Sequence, residues 1–212
     1  MLLRTARDAV VAPTGLSAPG HVAVVFAVMA VEADLNEALH QASSPPLMDD
    51  PVIGSLASWV NRIGLATAER LPVDTKLRRF ADAIGVSPDF GQSTLQALGV
   101  LIDSRHHLVH WSPEVLQSDA AAPSDRMAGQ SSVPDQSAVA LVRQLRSRLG
   151  LTDAPLSWSA SMILGRSQSG AWAYSTALAS IRLVHNWVPA LARDFLWWRF
   201  EKHVEDLPPG VE

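Results

Sequence analysis

Apolar residues spaced three and four apart limit this chain more than any other feature does. From His21 to Gln41, Val24, Val28, Val31, Leu35 and Leu39 fall on one side of a single helix. No stretch shows the alternation of β-branched residues between tight turns that a strand requires. The pattern predicts an all-α protein, with residues 1–212 forming one domain on an up-and-down four-helix-bundle core with short extra helices. The first long helix, His21 to Gln41, is stopped by Ser43-Ser44-Pro45-Pro46, and a second runs from Val52 to Leu71, ended by Pro72. Asp74 offers a cap for a short third helix through Ile84, closed at Gly85. Ser87-Pro88-Asp89 offers a cap and first turn ahead of a strong helix from Ser93 to Trp111. Helix resumes from Asp135 to Leu149 and again from Ala171 to His203, where Pro189 should kink or divide it. Between them, Leu151 to Gly170 reads as irregular. Residues 113–134, rich in Ala, Ser, Asp and Pro, read as a long mobile loop, and 205–212 as a tail.

Composition narrows the chemistry. The chain has no cysteine, which excludes disulfides, thiolate metal sites and cysteine nucleophiles. Its 48% hydrophobic content supplies a core without staples. The longest apolar run, Val22 to Val31, ends at Glu32, well short of the ~20 residues a bilayer crossing needs. Glu32, Asp34 and Glu37 occupy the place of a signal-peptide cleavage site. The expectation is a soluble, cytoplasmic protein with no membrane contact. A formal net charge of −4 argues against coating nucleic acid by bulk charge, while leaving room for a local anion site.

Three of the seven histidines fall within Ser104-Arg105-His106-His107-Leu108-Val109-His110. On a helical wheel, Leu95, Leu98, Ile102 and Val109 define an apolar stripe. Arg105 lies about 60° to one side of its axis and His106 about 40° to the other, with His110 one turn beyond His106. Asp103, Ser104 and His107 point away, and His107 is expected in solvent. Arg105, His106 and His110 thus edge a packed face, where an ionisable group costs free energy unless something binds it. Three readings are open. Arg105 can pair with an acid such as Glu32 while the histidines are satisfied inside the bundle. His106 and His110, at i and i+4, can hold a metal, although no third ligand and no adjacent glutamate accompany them. Alternatively, arginine and histidine can serve one phosphate reaction.

At these residues the chain resembles the HEPN superfamily (higher eukaryotes and prokaryotes nucleotide-binding domains), as a divergent member. That family is all-α on a four-helix core. Its signature is an arginine, a polar second residue, and a histidine after four to six intervening residues. Arg105, His106 and His110 match it with four intervening residues, at the end of a long helix just before Ser112-Pro113. Glu32, in Val31-Glu32-Ala33-Asp34-Leu35, resembles the family's first helix. The resemblance covers 20–112 and 135–203 as architecture; the loop at 113–134 departs from compact members.

The resemblance implies a metal-independent endoribonuclease that needs no cofactor and works as a homodimer. His110 would be the general acid or base, Arg105 would bind the phosphate, His106 would orient the pair or the substrate, and Glu32 would hold Arg105. It also implies alternatives: a catalytically silent interaction or nucleotide-binding module, or a toxin with a protein antitoxin as partner. Trp111 can wall the site or stack an RNA base, or simply pack. Arg62, Arg70, Lys76, Arg78 and Arg79 form one basic strip for RNA, and Arg143, Arg146 and Arg148 another; both also read as ordinary solvated faces. The aromatic run Phe195-Leu196-Trp197-Trp198-Arg199-Phe200 reads first as core and next as a dimer interface.

Overall fold

Ten helices and no strand form among the described residues of the computed structural model, which are 1–11, 18–43, 50–110, 136–151, 155 and 158–197. The helices are α1 (Leu2–Val11), α2 (Pro19–Ser43), α3 (Pro51–Ile63), α4 (Leu65–Arg70), α5 (Val73–Ala83), α6 (Ser93–Val109), α7 (Gln136–Arg148), α8 (Ala160–Leu164), α9 (Ser167–Asn186) and α10 (Ala190–Leu196). The all-α class follows from the spacing. Trp111, the expected loop at 113–134, Trp198 to Phe200 and the expected tail at 205–212 lie outside the described residues.

The centre of the fold is α2, which packs against α9, α1, α3 and α6. Its sequence suits that place because buried alanines alternate with larger groups: Ala23, Ala27, Ala30 and Ala38 let neighbours approach, while Val24, Val28, Leu35 and Leu39 fill the space between. Closest approach occurs near its start. A Cβ on Gly20 would lie 2.2 Å from the carbonyl oxygens of both Leu164 and Arg166, and the Gly20 N–H donates to Gly165 O at 3.3 Å. On α9, Gly170 faces Val10 and Ala23 in the same way.

Several boundaries differ from the sequence reading, each for a local reason. Residues 52–71 are two helices, because Gly64 takes φ +83 and breaks the run. Asp50 caps α3, its carboxylate accepting from the N–H groups of Val52 and Ile53. Asp74 is not the cap of α5; Pro72 precedes that helix and Asp74 sits in its first turn. Ser87 to Asp89 stay non-helical, with Asp89 accepting from Gly91 N–H in a turn, and α6 starts at Ser93 without a side-chain cap. The stretch 151–170 contains α8, capped by Ser159, and the first turn of α9. Pro189 divides the last helical segment, as its missing N–H requires. The N-terminal eleven residues, given no element by the sequence reading, contain α1, whose Leu3, Ala6, Ala9 and Val10 are buried.

Two polar clusters are built into this core. Asp34 of α2 is 1% exposed and His185 of α9 is 6% exposed, and His185 Nε2 lies 2.9 Å from Asp34 Oδ1. Trp197 stacks on His185 with centroids 4.0 Å apart and donates its Nε1–H to the Asp34 carbonyl at 3.1 Å. This places Trp197 in the core, as the first reading of the aromatic run expected. The second cluster centres on Lys76 of α5, which is 0% exposed. Its Nζ donates to Asn36 Oδ1 and to Glu69 O at 2.9 Å, and stands 3.7 Å from Glu32 Oε1. One ammonium thus ties α2, α4 and α5 together and satisfies a carbonyl at the end of α4.

Burial pushes the Lys76 ammonium below its ordinary 10.5, with Glu32 pulling the other way. Between that lowered value and 10.5 the unfolded chain holds a proton that the folded chain has released, so stability contributed here rises with pH. Lys76→Met should remove this rise. Urea midpoints of both proteins, taken across the alkaline range up to 10.5, provide the check; parallel curves would contradict it.

Candidate functional site

The apolar stripe of α6 is set by Leu95, Leu98, Leu101 and Ser104, not by Ile102 and Val109. Ile102 is only half-buried, and Val109 is 49% exposed. Ser104, expected to point outward, is 0% exposed and donates its hydroxyl to Val100 O at 2.7 Å. This is what admits a serine to the packed side: the hydroxyl finds its acceptor on its own helix. The wheel is therefore turned from the expected one, and the polar residues at the end of α6 turn with it.

Arg105 is half-buried, and its Nε is enclosed without a hydrogen-bond partner. His106 and His110 are exposed, so they do not edge a packed face as the wheel predicted. His107 is half-buried rather than solvated. The imidazoles of His106 and His110 lie side by side, centroids 4.5 Å apart and planes tilted by 46°. His110 is the residue that ends α6, with φ −108 and ψ 31, and its N–H still donates to His106 O at 3.0 Å. That bond closes the turn between the two rings and fixes their side-by-side placement.

The charges around them differ from expectation in two ways. Glu32 faces Lys76, not Arg105, so the guanidinium has no carboxylate counter-ion among the described residues. Asp103, in contrast, belongs to the neighbourhood. Its carboxyl is raised above the ordinary 3.8, first by partial burial and then by Asp74 of α5, while His106 pulls it down. The order Asp103, His106, His110 at i, i+3 and i+7 follows one helix face, a signal present in the sequence that the reading passed over. Trp111, next along the chain, is outside the described residues.

The described basic residues of the two strips differ in their surroundings. Burial removes Lys76 from the first, and Arg78 is laid over the ring of Phe90, 4.0 Å from its centroid. In the second, Arg146 donates to Pro155 O at 2.9 Å. An open groove elsewhere on the surface is lined by Gly54, Ser58, Trp59 and Arg62 of α3 with Ala83 of α5, and it includes none of Arg105, His106 and His110. Its lining holds no acidic side chain and no histidine. No group of three or more histidine, aspartate or glutamate side chains able to hold a metal ion occurs among the described residues, nor does any helix there have the length and apolarity to cross a membrane.

Chemically, the end of α6 offers a cation with a fixed charge, two imidazoles able to carry protons, and water access to both rings. Such a set recognises an anion and moves a proton beside it. No protein-family model, curated protein or solved structure matches this chain.

Proposed function

We propose that the chain is a HEPN-type endoribonuclease that cleaves RNA without a metal, as a homodimer, using Arg105, His106 and His110. The observation that carries this reading is a half-buried guanidinium with no counter-ion among the described residues, in the same stretch at the end of one helix as two adjacent, solvent-facing imidazoles. A half-buried cation with no counter-ion among the described residues is a cost that a bound phosphate would offset.

In the proposed reaction, His110 takes the proton from a ribose 2′-OH as that oxygen attacks the adjacent phosphorus. The P–O5′ bond breaks, and the leaving 5′ oxygen is protonated by the imidazole of the second copy. Arg105 binds the non-bridging phosphate oxygens and stabilises the charge that develops on them. His106 holds His110 in place through their contact. One arginine and one histidine per chain supply half of an acid–base pair, and a dimer that brings two sets together supplies the whole.

The products report the chemistry. Incubation of purified protein with RNA in excess EDTA should leave fragments ending in a 2′,3′-cyclic phosphate and beginning with a 5′-hydroxyl. Fragments beginning with a 5′-phosphate, or cleavage abolished by the chelator, would contradict the reading.

A further inference from the structure

We infer that His106 and His110 form a chelating site for a divalent transition-metal cation on the exposed end of α6. The two rings are one helical turn apart, and the turn is closed by the His110 N–H to His106 O bond at 3.0 Å, so the backbone holds them in register before any ligand arrives. Their centroids are 4.5 Å apart. At that separation, small side-chain rotations bring one nitrogen of each ring onto a shared cation at bond lengths of about 2.1 Å. Both rings are exposed, and neither makes a side-chain hydrogen bond to another described residue, so chelation breaks no such bond among them.

The donor set decides which cation fits. Two neutral imidazoles suit copper, nickel and zinc, and are poor ligands for magnesium and calcium, which select oxygen donors. No third ligand closes the site among the described residues, so on their count the remaining positions are open to water and to exchange. This is unlike a structural zinc site. With no enforced geometry, affinity follows the intrinsic order, Cu²⁺ above Ni²⁺ and Zn²⁺. Asp103 on the same face favours the cation by its charge, and Arg105 on the same turn opposes it.

Occupancy has two consequences. It cross-links the last turn of α6, so the metal raises the unfolding temperature of the folded chain. It also withdraws the His110 lone pair from proton transfer, so Cu²⁺ inhibits cleavage; this second consequence alone rests on the ribonuclease reading. The cation is thus an occupant that silences the site and takes no part in the reaction.

Titration of the untagged full-length chain with CuCl₂, followed by calorimetry and by the visible copper absorption, tests the site. The result expected is one Cu²⁺ per chain, bound more tightly than Zn²⁺, with affinity lowered about tenfold or more in His106→Asn and in His110→Asn, and unchanged in His107→Asn. Both target rings are exposed, and far-ultraviolet circular dichroism of each variant checks that the fold is retained. Unchanged Cu²⁺ affinity in His106→Asn and His110→Asn, an equal loss in His107→Asn, or no binding to the folded parent chain would overturn the proposal. Because the readout is metal binding, it stands apart from RNA cleavage: copper can bind a protein that cuts nothing, and cleavage can occur in a protein that binds no copper.

Discussion

Replacing His185 with leucine should lower the unfolding free energy by about 3–5 kcal/mol, the range seen when one partner of a buried charged pair is removed. Asp34 is 1% exposed, and its carboxyl is already raised above 3.8 by burial against the pull of His185. Without the imidazole, the carboxylate has no countercharge and takes up a proton, at a free-energy cost that grows with pH. The substitution also removes a ring stacked on Trp197. The double variant Asp34→Ala, His185→Leu should recover most of the loss, because the buried acid leaves with its partner. Urea unfolding of the parent, the single and the double variant provides the check, and a single variant within about 1 kcal/mol of the parent would show that the pair contributes little.

Gly20→Ala should be comparably severe, at about 3 kcal/mol or more, at the upper end of overpacking costs. The added methyl would sit 2.2 Å from two carbonyl oxygens, and those atoms are backbone at the α8–α9 junction, which cannot rotate away. Relief requires α2 to separate from that junction and lose its N-terminal packing. Gly170→Ala is the informative comparison. Its nearest clash is Val10 Cγ2 at 2.9 Å, the end of a side chain in α1 that can yield. Thermal unfolding should therefore rank the parent above Gly170→Ala and Gly170→Ala above Gly20→Ala; the reverse order would refute the account of how α2, α8 and α9 meet.

The all-α class was legible because the three-and-four spacing of α2 and α9 is a local property that tertiary context reinforces. Boundaries were less so where one backbone atom decides. Gly64 reads as a tolerable residue inside a helix, yet its positive φ separates α3 from α4. The first helix is hard to read because its buried side, Leu3, Ala6, Ala9 and Val10, is short and is interrupted in sequence by Arg4, Arg7 and Asp8. Neighbouring positions of the candidate site could be read, since Arg105, His106 and His110 lie on one helix end. Their environment could not. Whether Glu32 faces Arg105 or Lys76 depends on how α5 crosses α2, and the ladder within α6 cannot reveal that a serine at 104 is buried. The Asp34–His185 pair, separated by most of the chain, had a signal in each half: an acid among Val31, Leu35 and Ala38, and a histidine one turn after Ile181 on an apolar face.

On the proposed function, the end of α6 is the reactive part of the molecule. Single-turnover cleavage of one labelled RNA in EDTA, by the parent and by Arg105→Ala, His110→Ala and His40→Ala, tests it most directly. His40 is exposed on α2 and serves as a control histidine remote in sequence from that turn. The account predicts a fall of about 10²–10⁴-fold for His110→Ala, as general acid–base catalysis is lost. It predicts about 10²–10³-fold for Arg105→Ala, as charge stabilisation is lost, and an unchanged rate for His40→Ala. Equal rates in the parent, Arg105→Ala and His110→Ala would contradict it.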